Sequence, residues 1–168
     1  MITLAIALLV LPVAEKVSFT FAGAGYVHRY SKDNLHEYTP KGKPDLKSWA
    51  DMVTINDYPS VKTGDDLAKS ANSVLETYKD HKAVVVRTNS LPRTDKREAE
   101  HLIVVLFPTP DFIEAAFARF VIVGGQGHSV VYSHRIYGKK AGPAMSTWLQ
   151  KSGESTEKAL MAMSLPKS

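Results

Sequence analysis

Apolar and polar residues alternate along most of this chain, and the alternation gives way twice to a spacing of three and four, so strands and two helices are predicted. Val17, Phe19 and Phe21 fall on one side of Glu15 to Phe21, with Ser18 and Thr20 on the other. That is the pattern of a half-buried strand, since strand side chains point alternately to opposite faces. Tyr26 to Tyr30 and Asn34 to Thr39 are short β-prone pieces around the turn Ser31-Lys32-Asp33, and Met52 to Tyr58 is another strand. The prolines of Pro40 to Pro44 mark a loop between them. Ala83 to Asn89 and His101 to Phe107 follow, the second so continuously apolar that it fits a strand covered on both faces. Phe112 to Val123 and Ser129 to Tyr137 are the longest runs, joined by Gly124-Gly125-Gln126-Gly127, glycines that take positive φ without steric cost. This hairpin organises the chain. In its second strand Val130, Tyr132, His134 and Ile136 share one face and Ser129, Val131, Ser133, Arg135 and Tyr137 the other. Both faces are mixed, which leaves open the one that meets the core.

The first helical stretch is 65–81. Thr63 is placed to cap it, Asp65 and Asp66 lie near the positive end of the dipole, and Lys79, His81 and Lys82 near the negative end. Leu67, Ala71, Val74, Leu75 and Tyr78 form its buried stripe. The second stretch is 143–163, with Pro143 in its first turn and one apolar face kept through Gly153 to Met163. Asp45 to Ala50 is expected to make a short helical turn that carries Trp49 inward. The predicted fold class is therefore α+β, a mostly antiparallel sheet of about six strands packed with these two main helices.

Composition narrows the class. With 168 residues, 44% hydrophobic and 23% charged, the chain is the size of one domain with a core, here residues 15–168. The net charge of +4 comes from basic residues scattered among acids, so there is no basic stripe for nucleic acid. The absence of cysteine removes disulfides, thiolate metal sites and a cysteine nucleophile. Residues 1–14 form an apolar segment: Ile2 to Ala14 is uncharged, of signal-sequence length, and short for a membrane span. A signal peptide and a periplasmic or secreted location are expected, with no stable membrane span once it is removed. If that segment belongs to the fold, the expectation becomes cytoplasmic.

Candidate chemistry is sparse. Gly124 to Ser129 lacks the following helix and the lysine of a phosphate loop. His128 and His134 lie six residues apart on one strand, about 20 Å, too far to share an ion. His28 and His36 could meet across a hairpin, and His81 and His101 have ordinary places at a helix end and a strand start. Ser129 and Ser133 point away from the histidines beside them, and G-x-S-x-G is absent. No catalytic, metal or cofactor-binding residues are assigned, and no cofactor. Ser133, Arg135 and Tyr137 on one strand face are the candidate ligand-binding residues: Arg135 offers a bidentate donor to a carboxylate or phosphate, and Tyr137 a flat contact. The competing assignment pairs Arg135 with an acid such as Glu114.

The order of strands, helix, antiparallel strands and closing helix resembles the PsbP/Mog1-like α/β/α arrangement over Glu15 to Met163. The SWADMVTI and YSHRIYG segments resemble those of uncharacterised exported bacterial proteins. The resemblance implies an assembly or binding accessory with no shared catalytic residues. The expected function is an exported, non-catalytic binding domain that holds a protein or a small anionic partner on a sheet face or loop edge. The alternative is a hydrolase or metal-dependent enzyme assembled from His28, His36, Asp57 and Arg135. Convergence of three of these on one pocket favours the alternative. Homo-oligomerisation through a hairpin edge is a further possibility, with the oligomeric state open.

Overall fold

The computed structural model describes residues 15–166, so the expected signal segment lies outside the described residues. Eight strands form one antiparallel sheet rather than about six. They are β1 (Phe19–Phe21), β2 (Ala24–Lys32), β3 (Leu35–Pro40), β4 (Asp51–Tyr58), β5 (Val84–Leu91), β6 (Glu100–Pro108), β7 (Phe112–Val123) and β8 (Gln126–Tyr137). The order across the sheet is β1-β2-β3-β4-β8-β7-β6-β5. Tight turns account for the larger number. Ala22 and Gly23 take φ of 47° and 81°, which folds Phe19–Phe21 straight back onto Ala24–Tyr26, and Asp33 at φ 52° does the same between β2 and β3. Short β-prone pieces thereby become separate paired strands.

Two meanders, β1 to β4 and β5 to β8, meet where β4 pairs with β8. The connection between them carries α1 (Gly64–Asp80), and α2 (Ala141–Ala162) follows β8. The Thr63 hydroxyl accepts from the Asp66 amide at 3.2 Å and donates to the Asp66 carboxylate at 2.7 Å, closing the first turn of α1. Gly153 lies inside α2, as its unbroken apolar face predicts. No helix forms over Asp45 to Ala50. The Asp45 carboxylate instead accepts from the Lys47 amide and the Ser48 hydroxyl, a local alternative to helix bonding, and Trp49 is still buried. No helix among the described residues is long and apolar enough to cross a membrane.

A helix lies on each side of the sheet, so both faces of the hairpin strands meet a core. Under α2, Leu102, Val104, Phe117, Val130 and Tyr132 pack with Met145 and Leu160. Under α1, Ile103, Val105, Ala116, Ala118 and Phe120 pack with Leu67 and Ala71. Strand β6 is covered on both faces, as its continuous apolar run requires. A charged pair is buried in the α2 layer: the Arg119 guanidinium donates to Glu100 at 2.8 Å and to the carbonyls of Leu160 and Met163 at 3.1 and 2.7 Å. It ties the last turn of α2 to the sheet and neutralises carbonyls that the helix leaves open.

The β7–β8 turn uses its glycines in two ways. Gly124 and Gly125 take φ of 60° and 77°, the paired left-handed conformation of a tight hairpin. Gly127 is extended within β8 and is needed for space: a Cβ there meets Val61 Cγ1 at 2.5 Å and Val61 Cβ at 2.7 Å, while the Gly127 amide donates to the Val61 carbonyl at 2.8 Å. Gly127→Ala is expected to lower stability by about 1–3 kcal/mol, the cost of overpacking a closed contact. Urea unfolding of the two proteins checks it, and an unchanged midpoint would show that the Val61 loop yields freely.

Candidate functional site: a histidine and aspartate cleft at the end of the sheet

On the α2 face, the end of the sheet beyond the last turn of α2 carries a line of polar side chains whose positions follow from strand register. Asp57 of β4 stands directly opposite His128 of β8, and His36 of β3 stands opposite Ile55, one pleat away from Asp57. Ser31 is opposite His36, and the irregularity between His28 and Tyr30 puts His28 and Ser31 on the same face although they are three residues apart. The result is a continuous chain. His28 Nε2 lies 2.6 Å from Ser31 Oγ, Ser31 Oγ 2.7 Å from His36 Nδ1, His36 Nε2 3.3 Å from Asp57 Oδ2, and His128 Nδ1 2.7 Å from Asp57 Oδ1.

With neutral imidazoles this geometry admits one arrangement of protons. An ionised carboxylate only accepts, so His36 Nε2 and His128 Nδ1 carry hydrogens. His36 Nδ1 is then an acceptor for the Ser31 hydroxyl, and Ser31 Oγ accepts from His28 Nε2–H. The remaining ring nitrogen of His128, Nε2, is left with a lone pair. These residues border an open cleft of about 450 Å³, lined by His36, Tyr38, Asp57, Gln126 and His128 with the apolar Ile55, Val123, Leu165 and Pro166. Burial and the neighbouring Asp57 charge both raise the Tyr38 phenol above its ordinary value, so it stays protonated.

Farther along β8, the Asp51 carboxylate accepts from Tyr132 Oη at 2.7 Å and lies 2.8 Å from His134 Nδ1, whose ring stacks on Trp148 with centroids 4.2 Å apart. Burial alone raises the Asp51 carboxyl, but the hydrogen bonds of His134 and Tyr132 outweigh it and hold the group below the ordinary carboxylate range. Tyr132 is pushed well up by burial and by the same carboxylate. This cluster is packed under α2.

Ser133, Arg135 and Tyr137 do share a strand face, the one opposite the cleft. Ser133 is buried. The Arg135 guanidinium donates from Nε to Glu114 at 2.8 Å and is sandwiched between the rings of Trp49 and Phe112, 3.8 and 4.2 Å from their centroids. The Tyr137 hydroxyl donates to the Trp49 carbonyl at 2.9 Å. Arg135 thus makes the carboxylate pairing weighed against a ligand in the sequence, and adds two cation–π contacts.

Of the dispersed set His28, His36, Asp57 and Arg135, only His36 and Asp57 line the cleft; His28 is joined to them through Ser31 without lining it, and Arg135 lies apart. It sits seven residues from His128 along β8, about 23 Å, on the other face. Nothing local in the sequence joins His128 to Asp57; the two lie 71 residues apart in sequence and meet only through the β4–β8 register. His81 is at a helix end as expected, with Nδ1 2.8 Å from the Thr77 carbonyl. No three metal-ligating side chains converge among the described residues, because Asp57 lies between the two imidazoles and takes each on a different oxygen.

The architecture is that of an antiparallel sheet between two helices with an open polar cleft beyond one of them. No protein-family model matches the chain, and no curated protein sequence matches it. Among solved structures it is similar to the Saccharomyces cerevisiae Ran-binding protein Mog1p, with a TM-score of 0.49 and 8% identity over 81% of this chain and 82% of that one.

Proposed function

We propose that the chain is an exported accessory domain that binds a protein partner at the His36–Asp57–His128 cleft and does not turn it over. The observation that supports this is the mutual saturation of the cleft's polar floor. Both Asp57 oxygens are taken by imidazoles, and Ser31 Oγ is held between His28 and His36. Ser31, His36 and Asp57 have the chain order of a nucleophile, base and acid, and this is the specific support for a hydrolase. Yet acyl transfer also needs donors aimed at a developing oxyanion, and Ser31 is the next-to-last residue of β2, flanked by Tyr30 and Lys32, which pair with Glu37 and Leu35 of β3. A satisfied network beside apolar walls suits recognition.

Export is read from the uncharged apolar run at Ile2 to Ala14, which is followed by the charged pair Glu15-Lys16. Glu15 accepts from Arg29 at 2.7 Å and from the Gly42 amide at 2.8 Å, contacts that hold its carboxyl down at about 2. A domain that starts at Glu15 keeps this tie.

The test places a photo-crosslinking side chain at Gln126, in the cleft lining, and the same group at the exposed Lys69 of α1, in cells of an expressing bacterium. The expected result is a shortened chain mass in the periplasmic fraction and a discrete crosslinked species from position 126 that disappears with Asp57→Ala. Full-length protein confined to the cytoplasm would remove export from the reading. Equal crosslinking at 126 and 69 would remove the cleft.

A further inference from the structure

The proton arrangement in the cleft specifies more than its position. With the imidazoles neutral, the only formal charge among the described lining residues is the Asp57 carboxylate. The floor therefore offers negative potential and a lone pair on His128 Nε2, and it repels anions. An arginine of a partner is a poor match, because a planar guanidinium is bound best by two free carboxylate oxygens and both of Asp57's are occupied. A compact ammonium needs only single acceptors arranged around a point charge. His128 Nε2 and the Gln126 side-chain carbonyl are such acceptors, with three ammonium hydrogens to receive. The walls above them, Ile55, Val123, Leu165 and Pro166, are apolar and suited to a run of methylenes.

We propose that the cleft is a receptor for an alkylammonium group, presented as a lysine side chain of the protein partner. This rests on the reading of the cleft as a binding site and names what enters it. The small anionic partner expected from the sequence belongs to a surface with a free cation, whereas the charge here is the opposite one.

The test is an amide-resolved NMR titration of the whole chain with Nα-acetyl-lysine methylamide, alanine methylamide and butyrate. A long-range nitrogen–hydrogen correlation of the histidine rings is recorded on the same sample. The ring spectrum is expected to place the His128 proton on Nδ1. Acetyl-lysine methylamide is expected to shift the amides of Asp57, Gln126, Gly127 and His128 saturably. Asp57→Asn and His128→Ala are each expected to weaken binding by about tenfold, the scale of one charge-assisted hydrogen bond. His128→Gln, which returns an acceptor near the same point, is expected to recover part of that loss. Comparable affinity for alanine methylamide would replace the lysine side chain by a chain terminus. Butyrate shifting these amides while the ammonium probes do not would overturn the proposal and leave the cleft as a binding site. Silence of the four amides toward all three probes would overturn both.

Discussion

Replacing Arg119 by leucine is expected to lower unfolding stability by about 3–5 kcal/mol, because it leaves the buried Glu100 with only the half-exposed Arg97, 4.0 Å away, as a counter-charge. The Arg119 and Glu100 side chains are 10% and 7% exposed, so solvent cannot take over the lost interaction. The same substitution strips a donor from the carbonyls of Leu160 and Met163, at the end of α2. For a domain of this size such a loss corresponds to a fall in melting temperature of about 10 °C or more. The double variant Arg119→Leu with Glu100→Leu separates the causes. A buried pair stabilises little over a hydrophobic replacement, so removing both charges is expected to recover at least half of the loss. Calorimetry on the wild type, the single variant and the double variant measures this. A double variant as unstable as the single one would place the cost in the freed helix carbonyls. Arg119 also matters to the cleft: it fastens the backbone at Met163, two residues before the wall formed by Leu165 and Pro166.

Phe117→Ala is the second large effect, expected at about 3–5 kcal/mol for an aromatic deleted from a closed core. Phe117 is 2% exposed, and its ring packs against Tyr132 at 6.3 Å and edge-on to Trp148 at 6.2 Å. Those neighbours in turn hold His134 and Asp51, through the Trp148 stack and the Tyr132 hydroxyl. The cavity therefore opens beside the half-buried Asp51 carboxylate. Phe117→Leu, which keeps most of the volume, is expected to cost less than half as much. Denaturant unfolding reads both, and equal costs would mean that the site is set by ring contacts rather than by volume.

The elements themselves were largely legible because their signals are local. Thr63, Asp65, Asp66 and the stripe from Leu67 to Tyr78 carry α1 within a single stretch, and observed and expected bounds differ by one residue at each end. Periodicity likewise carries α2 through Gly153, where a glycine costs helix stability but does not end a face that still has a core to meet. The smaller strand count came from the N-terminal third. There a two-residue turn at Ala22 and Gly23 needs positive φ at an alanine, a conformation that a sequence alone does not favour. The short helix expected over Asp45 to Ala50 yields to side-chain bonds from one aspartate, which compete with helix formation at equal range.

The candidate site was legible only in part. His28 and His36 are neighbours across one short hairpin, so their meeting could be read from turn signals. His128 could not be placed with Asp57, since no local signal links β4 to β8 across the intervening helix and three strands. Arg135 shows the reverse case. Its chemistry is that of an anion binder, and in the fold its Nε donates to Glu114 while its planar group lies over the rings of Trp49 and Phe112.

By itself, then, the sequence determined the helices, the hairpin centre and the α+β class, because capping, period and turn chemistry act over a few residues. Tertiary structure alone decided which helix covers each face of the sheet, that Gly127 is a matter of space, and that Asp57 stands between two imidazoles. Those outcomes depend on long-range strand register, and a one-residue change of register sends every side chain of a strand to the opposite face.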